Sequence, residues 1–208
     1  MMLFIIALEV ICVGVGVFYY TNLSPSSLRP LLIYLCLALL IDGLLEVVPD
    51  PTGIWTRGQY DLMLPAEFAI YINLFKPKPP RIFRSVAIGL FGLGLYQLTV
   101  HLQDRASSTN LYLVMCLLLL PVILLYLWSL ATSDKLLTIS REPLFWIAIS
   151  LLFSCTGSAI VTGFYFLLSD RFKAAGKNLF YINYVLTAIR YCMFTVAFTV
   201  AGRTGDGR

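Results

Sequence analysis

The sequence predicts an all-α polytopic membrane protein, a bundle of seven transmembrane helices with the N-terminus outside and the C-terminus in the cytoplasm. Three observations predict it. Of 208 residues, 59% are hydrophobic and only 12% charged, against roughly 25% charged in an ordinary soluble domain. The mean hydropathy is +0.85, which suits a chain solvated by lipid and charged chiefly in its loops. Finally, the apolar residues gather into seven stretches of about 20, the length that crosses a hydrocarbon core.

The first stretch, 2–20, lacks the cationic start of a signal peptide, and Glu9 interrupts its apolar run, so it reads as a retained helix. The second, 30–48, carries Asp42 and Glu46 four residues apart, which places them on one helical face with Leu35 and Leu39. The third, 57–75, is the weakest because Asp61, Pro65 and Glu67 lower its hydropathy; six spans with a re-entrant segment here is the alternative. The fourth, 83–101, offers Ser85, Gly89 and Gly92 as a small-residue seam. Pro121 removes a helical hydrogen bond in the fifth, 110–131, and predicts a kink. In the sixth, 143–169, Ser150, Ser154, Ser158 and Thr162 recur every fourth residue beside Gly157, Ala159 and Gly163, a second seam for close helix approach. The seventh, 178–201, has a polar stripe of Asn183, Thr187, Arg190 and Tyr191. All connections are short, so residues 1–208 read as a single transmembrane helical domain.

Lysines and arginines in short loops resist translocation and so set orientation. With the N-terminus outside, Arg29, Lys76, Lys78, Arg81, Arg84, Lys135, Arg141, Arg203 and Arg208 fall on the cytoplasmic side. Arg57, Arg105, Arg171, Lys173 and Lys177 fall outside, so the bias favours N-out and C-in, although the run at 170–177 pulls the other way. The stiff, basic 76–81 loop reads first as a topological signal and second as a site for anionic lipid or a partner.

The net charge of +4 lies mostly on one side and predicts no nucleic-acid binding. Cys12, Cys36, Cys116, Cys155 and Cys192 all lie in apolar stretches without a CxxC pair, and His101 is the single histidine, so no metal site or cofactor is expected. Dinucleotide, Walker, zinc-protease and serine-elbow motifs are absent from the sequence, and an enzyme is not expected. No internal repeat is evident, which disfavours an inverted-repeat transporter.

Ionisable groups inside lipid are costly and each needs a reason. On alternating helices Glu9, Glu67 and Arg190 fall near the midplane, Asp42 slightly to the outer side, and Glu46, Asp61 and His101 near the outer boundary. Glu67 and Tyr71 share a face. In a closed ring the last helix packs beside the first few, so Arg190 is expected to pair with Glu67 or Asp42. The bland reading is one buried ion pair that fixes helix register. The functional reading is an outward-facing polar cavity built from Glu9, Asp42, Glu46, Asp61, Glu67, Tyr71, Asn183, Thr187, Arg190 and Tyr191, taking a small amine, a cation or protons. The inner halves of the spans hold Cys36, Thr195, Thr199 and serines but no carboxylate, so the cavity reads as blind rather than as a through-path.

Tyr34, Leu35, Leu39 and Asp42 in the second span, Arg141 to Ile147 opening the sixth, Gly157 within it and Asn183 early in the seventh resemble a group of small seven-span membrane proteins of Bacteroidota. These are similar to the membrane-sensor regions of some histidine kinases without the kinase. The resemblance implies a sensory role. The seventh span lacks the lysine that a retinal protein needs, which excludes a rhodopsin. The expected function is therefore a receptor-like module of the inner membrane, surrounded by lipid and signalling through a separate cytoplasmic partner such as a histidine kinase, with a homodimer as a further expectation. A small-solute or proton-coupled transporter is the alternative, and a structural subunit of a membrane complex the third.

Overall fold

The computed structural model describes residues 2–21, 23, 28–47, 54–75, 89, 92, 96, 109–168 and 173–205. Among them are six long α-helices and no strand: α1 (Met2–Phe18), α2 (Leu28–Val47), α3 (Ile54–Phe75), α4 (Thr109–Ala131), α5 (Pro143–Leu168) and α6 (Lys173–Gly205). A 3-10 helix, Asp134–Arg141, joins α4 to α5. Among the described residues three helices are long and apolar enough to cross a membrane, over Tyr112–Ala131, Pro143–Thr162 and Tyr181–Arg203, and shorter apolar helices cover Phe4–Phe18 and Met63–Phe75.

Six of the seven expected spans coincide with these helices to within a few residues. Of the fourth, only residues 89, 92 and 96 are described, and they are helical. The third is one continuous helix of 22 residues, with Pro65 inside it. A proline costs a soluble helix about 3 kcal/mol, but neighbouring helices re-satisfy the freed carbonyl in a bundle, and α4 likewise continues through Pro121. Helix α6 exceeds its expected span at both ends, because hydropathy marks where lipid stops whereas backbone hydrogen bonding runs on into the polar boundary.

The outer surface is as apolar as the interior, and a few polar side chains are buried among the described helices. Glu9, Glu67 and Ser150 are buried, while Phe18 is 78% and Trp128 71% exposed on the outer surface. In a hydrocarbon solvent this is the favourable arrangement, since polar side chains must find partners within the bundle. Fully buried Leu31, Leu35, Phe68, Tyr71, Phe194 and Phe198 fill the space between the helices.

The described helices form a closed ring in chain order: each packs on the next, and α6 returns to α1. Their directions can be read from paired positions. Helices α1 and α6 run parallel, with Glu9 beside Tyr191, Cys12 beside Thr195, Gly16 against Phe198 and Tyr19 against Gly202. Helices α5 and α6 are antiparallel, as are α4 and α5, where Tyr112 meets Ser158 and Cys116 meets Cys155. Helices α3 and α4 are parallel: Cys116 lies within electrostatic reach of Glu67, and the rings of Phe75 and Tyr126 are 5.1 Å apart further along both.

Three glycines are set by close approach, Gly16 against the Leu32 side chain among them. A Cβ on Gly202 would strike the Tyr19 ring, and one on Gly157 would strike the Leu186 side chain at the α5 and α6 contact. Gly89 and Gly92 instead face open space, so these two positions of the expected fourth-span seam do not pack on the described bundle; Ser85 lies outside the described residues. We predict that Gly202→Val destabilises the bundle by about 1 to 3 kcal/mol, the usual cost of overpacking, read as a lower midpoint of detergent unfolding. Gly89→Ala should leave the midpoint unchanged.

Candidate functional site

The centre of the ring is organised by Glu67. Its neighbour one turn along α3, Tyr71, shares its face and donates its hydroxyl to Oε1 at 2.6 Å. Arg190 of α6 donates from Nη1 to the same oxygen at 3.1 Å, and Tyr34 of α2 donates to Oε2 at 3.1 Å. Three donors from three helices therefore meet one carboxylate, and bonds to an ionised acceptor are about twice as strong as neutral ones. Because α3 and α6 are not neighbours in the ring, this pair crosses its interior. Tyr191 turns its ring towards the guanidinium, 5.4 Å from centre to centre, and Tyr112 of α4 is within electrostatic reach.

Glu9 of α1 adds a second carboxylate. It is 1% exposed, and its Oε1 has no hydrogen-bond partner among the described residues, nor does Nε of Arg190. Tyr191 lies beside Glu9, with Asp42 and Arg190 within electrostatic reach. On α5, Ser150 donates to the Arg190 carbonyl at 3.3 Å and Ser158 to Oδ1 of Asn183 at 3.1 Å. The serine ladder is thus both a close-packing seam and a polar clamp on α6.

Of the residues expected from the sequence, Glu9, Glu67, Tyr71, Arg190 and Tyr191 come together at the centre, with Asp42 nearby. Arg190 takes Glu67 rather than Asp42 as its partner, because Glu67 faces it across the ring while Asp42 lies on the Glu9 side. Asn183 is held by Ser158, two turns of α6 from Arg190. The Thr187 hydroxyl donates to the Asn183 carbonyl of its own helix at 2.9 Å, so it relieves the local backbone. The side chains of Glu46 and Asp61, and all of His101, lie outside the described residues. Among the described residues no group of three His, Cys, Asp or Glu could hold a metal ion.

Sequence reasoning did not place Tyr34, Tyr112, Ser150 or Ser158 at the site. The available signal was the phenol in an apolar run: a buried tyrosine hydroxyl usually finds a partner, and Tyr34 and Tyr112 each sit among leucines.

No family model, curated protein or solved structure matches this chain.

Removing one partner of a buried ion pair strands the other and costs about 3 to 5 kcal/mol. Glu67→Gln and Arg190→Gln are each expected to lower stability by that order, and the double variant by much less than the sum, measured by chemical unfolding in detergent. Asp42→Asn combined with Arg190→Gln should be close to additive. Tyr34→Phe should cost about 1 kcal/mol or somewhat more; additive losses for Glu67 and Arg190 would show that they are not coupled.

Proposed function

We propose that the chain is a sensor-like module of the inner membrane, in which a ligand received by the polar centre changes how the helices meet, and a separate cytoplasmic partner such as a histidine kinase reads that change. The observation that carries this reading is the threefold use of Glu67. One carboxylate ties α2, α3 and α6 through Tyr34, Tyr71 and Arg190, so a ligand that competes for any of these bonds alters the relation of three helices at once. A ligand shifts such an equilibrium only by its differential affinity for the two arrangements, and charged hydrogen bonds in a low-dielectric interior supply a large differential.

Seven spans, N-out and C-in, complete the reading. Helices α1 and α6 are parallel, which fits an odd number of crossings when each helix between them is taken as a span. Helices α3 and α4 are also parallel, so the chain leaves α3 at one end of the bundle and enters α4 at the other. The intervening 33 residues include the apolar 83–101 stretch, long enough for the additional crossing. The distribution of lysine and arginine supports the orientation.

Two experiments test these proposals. Reporters fused after residue 78 and after residue 105 are expected on opposite sides of the membrane, with a fusion after Arg208 on the cytoplasmic side; residues 78 and 105 on one side would remove the fourth span. In proteoliposomes, amines and cations offered under a gradient are expected to stabilise the protein without net uptake. Saturable, gradient-driven uptake abolished by Asp42→Asn would replace the sensor with a carrier.

A further inference from the structure

One cation stands between two buried carboxylates. Arg190 serves Glu67 through Nη1, while its Nε, also buried, donates to nothing among the described residues. Glu9 is 1% exposed, and its Oε1 accepts from nothing among them. The two unspent atoms are complementary, one a donor and the other an acceptor. Glu9 and Arg190 lie within electrostatic reach of one another on the adjacent helices α1 and α6, and Tyr191 is beside both. Buried polar atoms are costly without a partner, and each of these two is what the other requires.

The two carboxylates are unequally provided. Glu67 has three donors and keeps Tyr34 and Tyr71 if Arg190 leaves. Glu9 has Tyr191 beside it and a like charge, Asp42, within reach, so a cation arriving there is drawn by two acids. The Arg190 side chain is 21% exposed against 8% for Glu67, so it has room that the carboxylate lacks. The staggered rotamers of its stem offer discrete alternative positions. From this we infer that Arg190 is an exchangeable cation, held by Glu67 in the arrangement described above and by Glu9 in a second. The exchange trades a tie across the ring, α3 to α6, for one between neighbours, α1 to α6. Glu67 stays bonded to α2 through Tyr34, and α3 is released from α6. Resting on the sensor reading above, these are the two arrangements between which a ligand chooses.

The test is when Glu9 and Arg190 come to depend on one another. In the full chain, purified in detergent with Glu67 intact, Glu9→Gln and Arg190→Gln are expected to shift the unfolding equilibrium nearly independently, because Arg190 is on Glu67. In a Glu67→Gln background Arg190 turns to Glu9. There the same two substitutions are expected to be coupled by about ten-fold or more in the unfolding equilibrium constant, the yield of one charged hydrogen bond. Coupling of equal size in both backgrounds means a fixed triad and overturns the exchange. Additive effects in both overturn it as well. If Glu67→Gln does not fold, Glu67→Asp withdraws the carboxylate by one methylene, keeps the charge, and carries the same expectation. These measurements use neither ligand nor gradient, so their failure with Glu67 and Arg190 still coupled removes the exchange alone; gradient-driven uptake removes the sensor reading itself.

Discussion

An arginine and a glutamate facing each other across the interior of a ring of apolar helices constrain everything around them. Arg190 alone at the bilayer centre would cost about 2.5 to 3.5 kcal/mol on an insertion scale and more by other reckonings. The two charges therefore have to be brought together, and they sit on helices that are not neighbours. The ring must close so that α6 faces α3, with a diameter that a guanidinium and a carboxylate can bridge. Tyr34 and Tyr71 then hold the carboxylate in the one orientation that serves all three donors.

The rest of the bundle follows from that requirement. Helix α6 has to lie close to α1 and α5 so that Arg190 points inward, and the two contacts are made differently. Against α1, the chain narrows to glycine at Gly16 and Gly202 and lets Phe198 and Tyr19 pack into the space. Against α5, the ladder of small hydroxyl residues approaches closely and also bonds to α6, where lipid-exposed hydroxyls would have no partner. The outer surface is left to Phe18, Trp128 and similar residues that lipid solvates.

Much of this was legible in the sequence, and the parts that were not share a physical cause. Runs of apolar residues mark helices strongly, so six of the seven expected spans coincide with the described helices, and even the doubtful stretch containing Asp61, Pro65 and Glu67 proves to be one helix. The embedded charges were also conspicuous, because any ion in a span is expensive. Whether Glu67 or Asp42 would take Arg190 depended on rotation about the helix axes, which one sequence encodes only through weak facial preferences; the apolar moment is small when both lipid and core want leucine. For the same reason Tyr34 and Tyr112 were not singled out as site residues, and Gly89 and Gly92, which suggested a seam, face open space.

The parallel docking of α6 on α1 has a consequence for biogenesis. Helices enter the bilayer in the order of synthesis, so the carboxylates of Glu9 and Glu67 are made long before Arg190, the cation that pairs with Glu67. Until α6 is inserted, the partly made bundle holds acids without a counter-ion and an open seam where Tyr19 and Gly16 await Gly202 and Phe198. Such an intermediate presents the kind of polar intramembrane surface that insertion chaperones and membrane proteases can engage. A chain that ends before Arg190 therefore lacks the ion pair across the ring and leaves Glu67 with its two tyrosine donors alone.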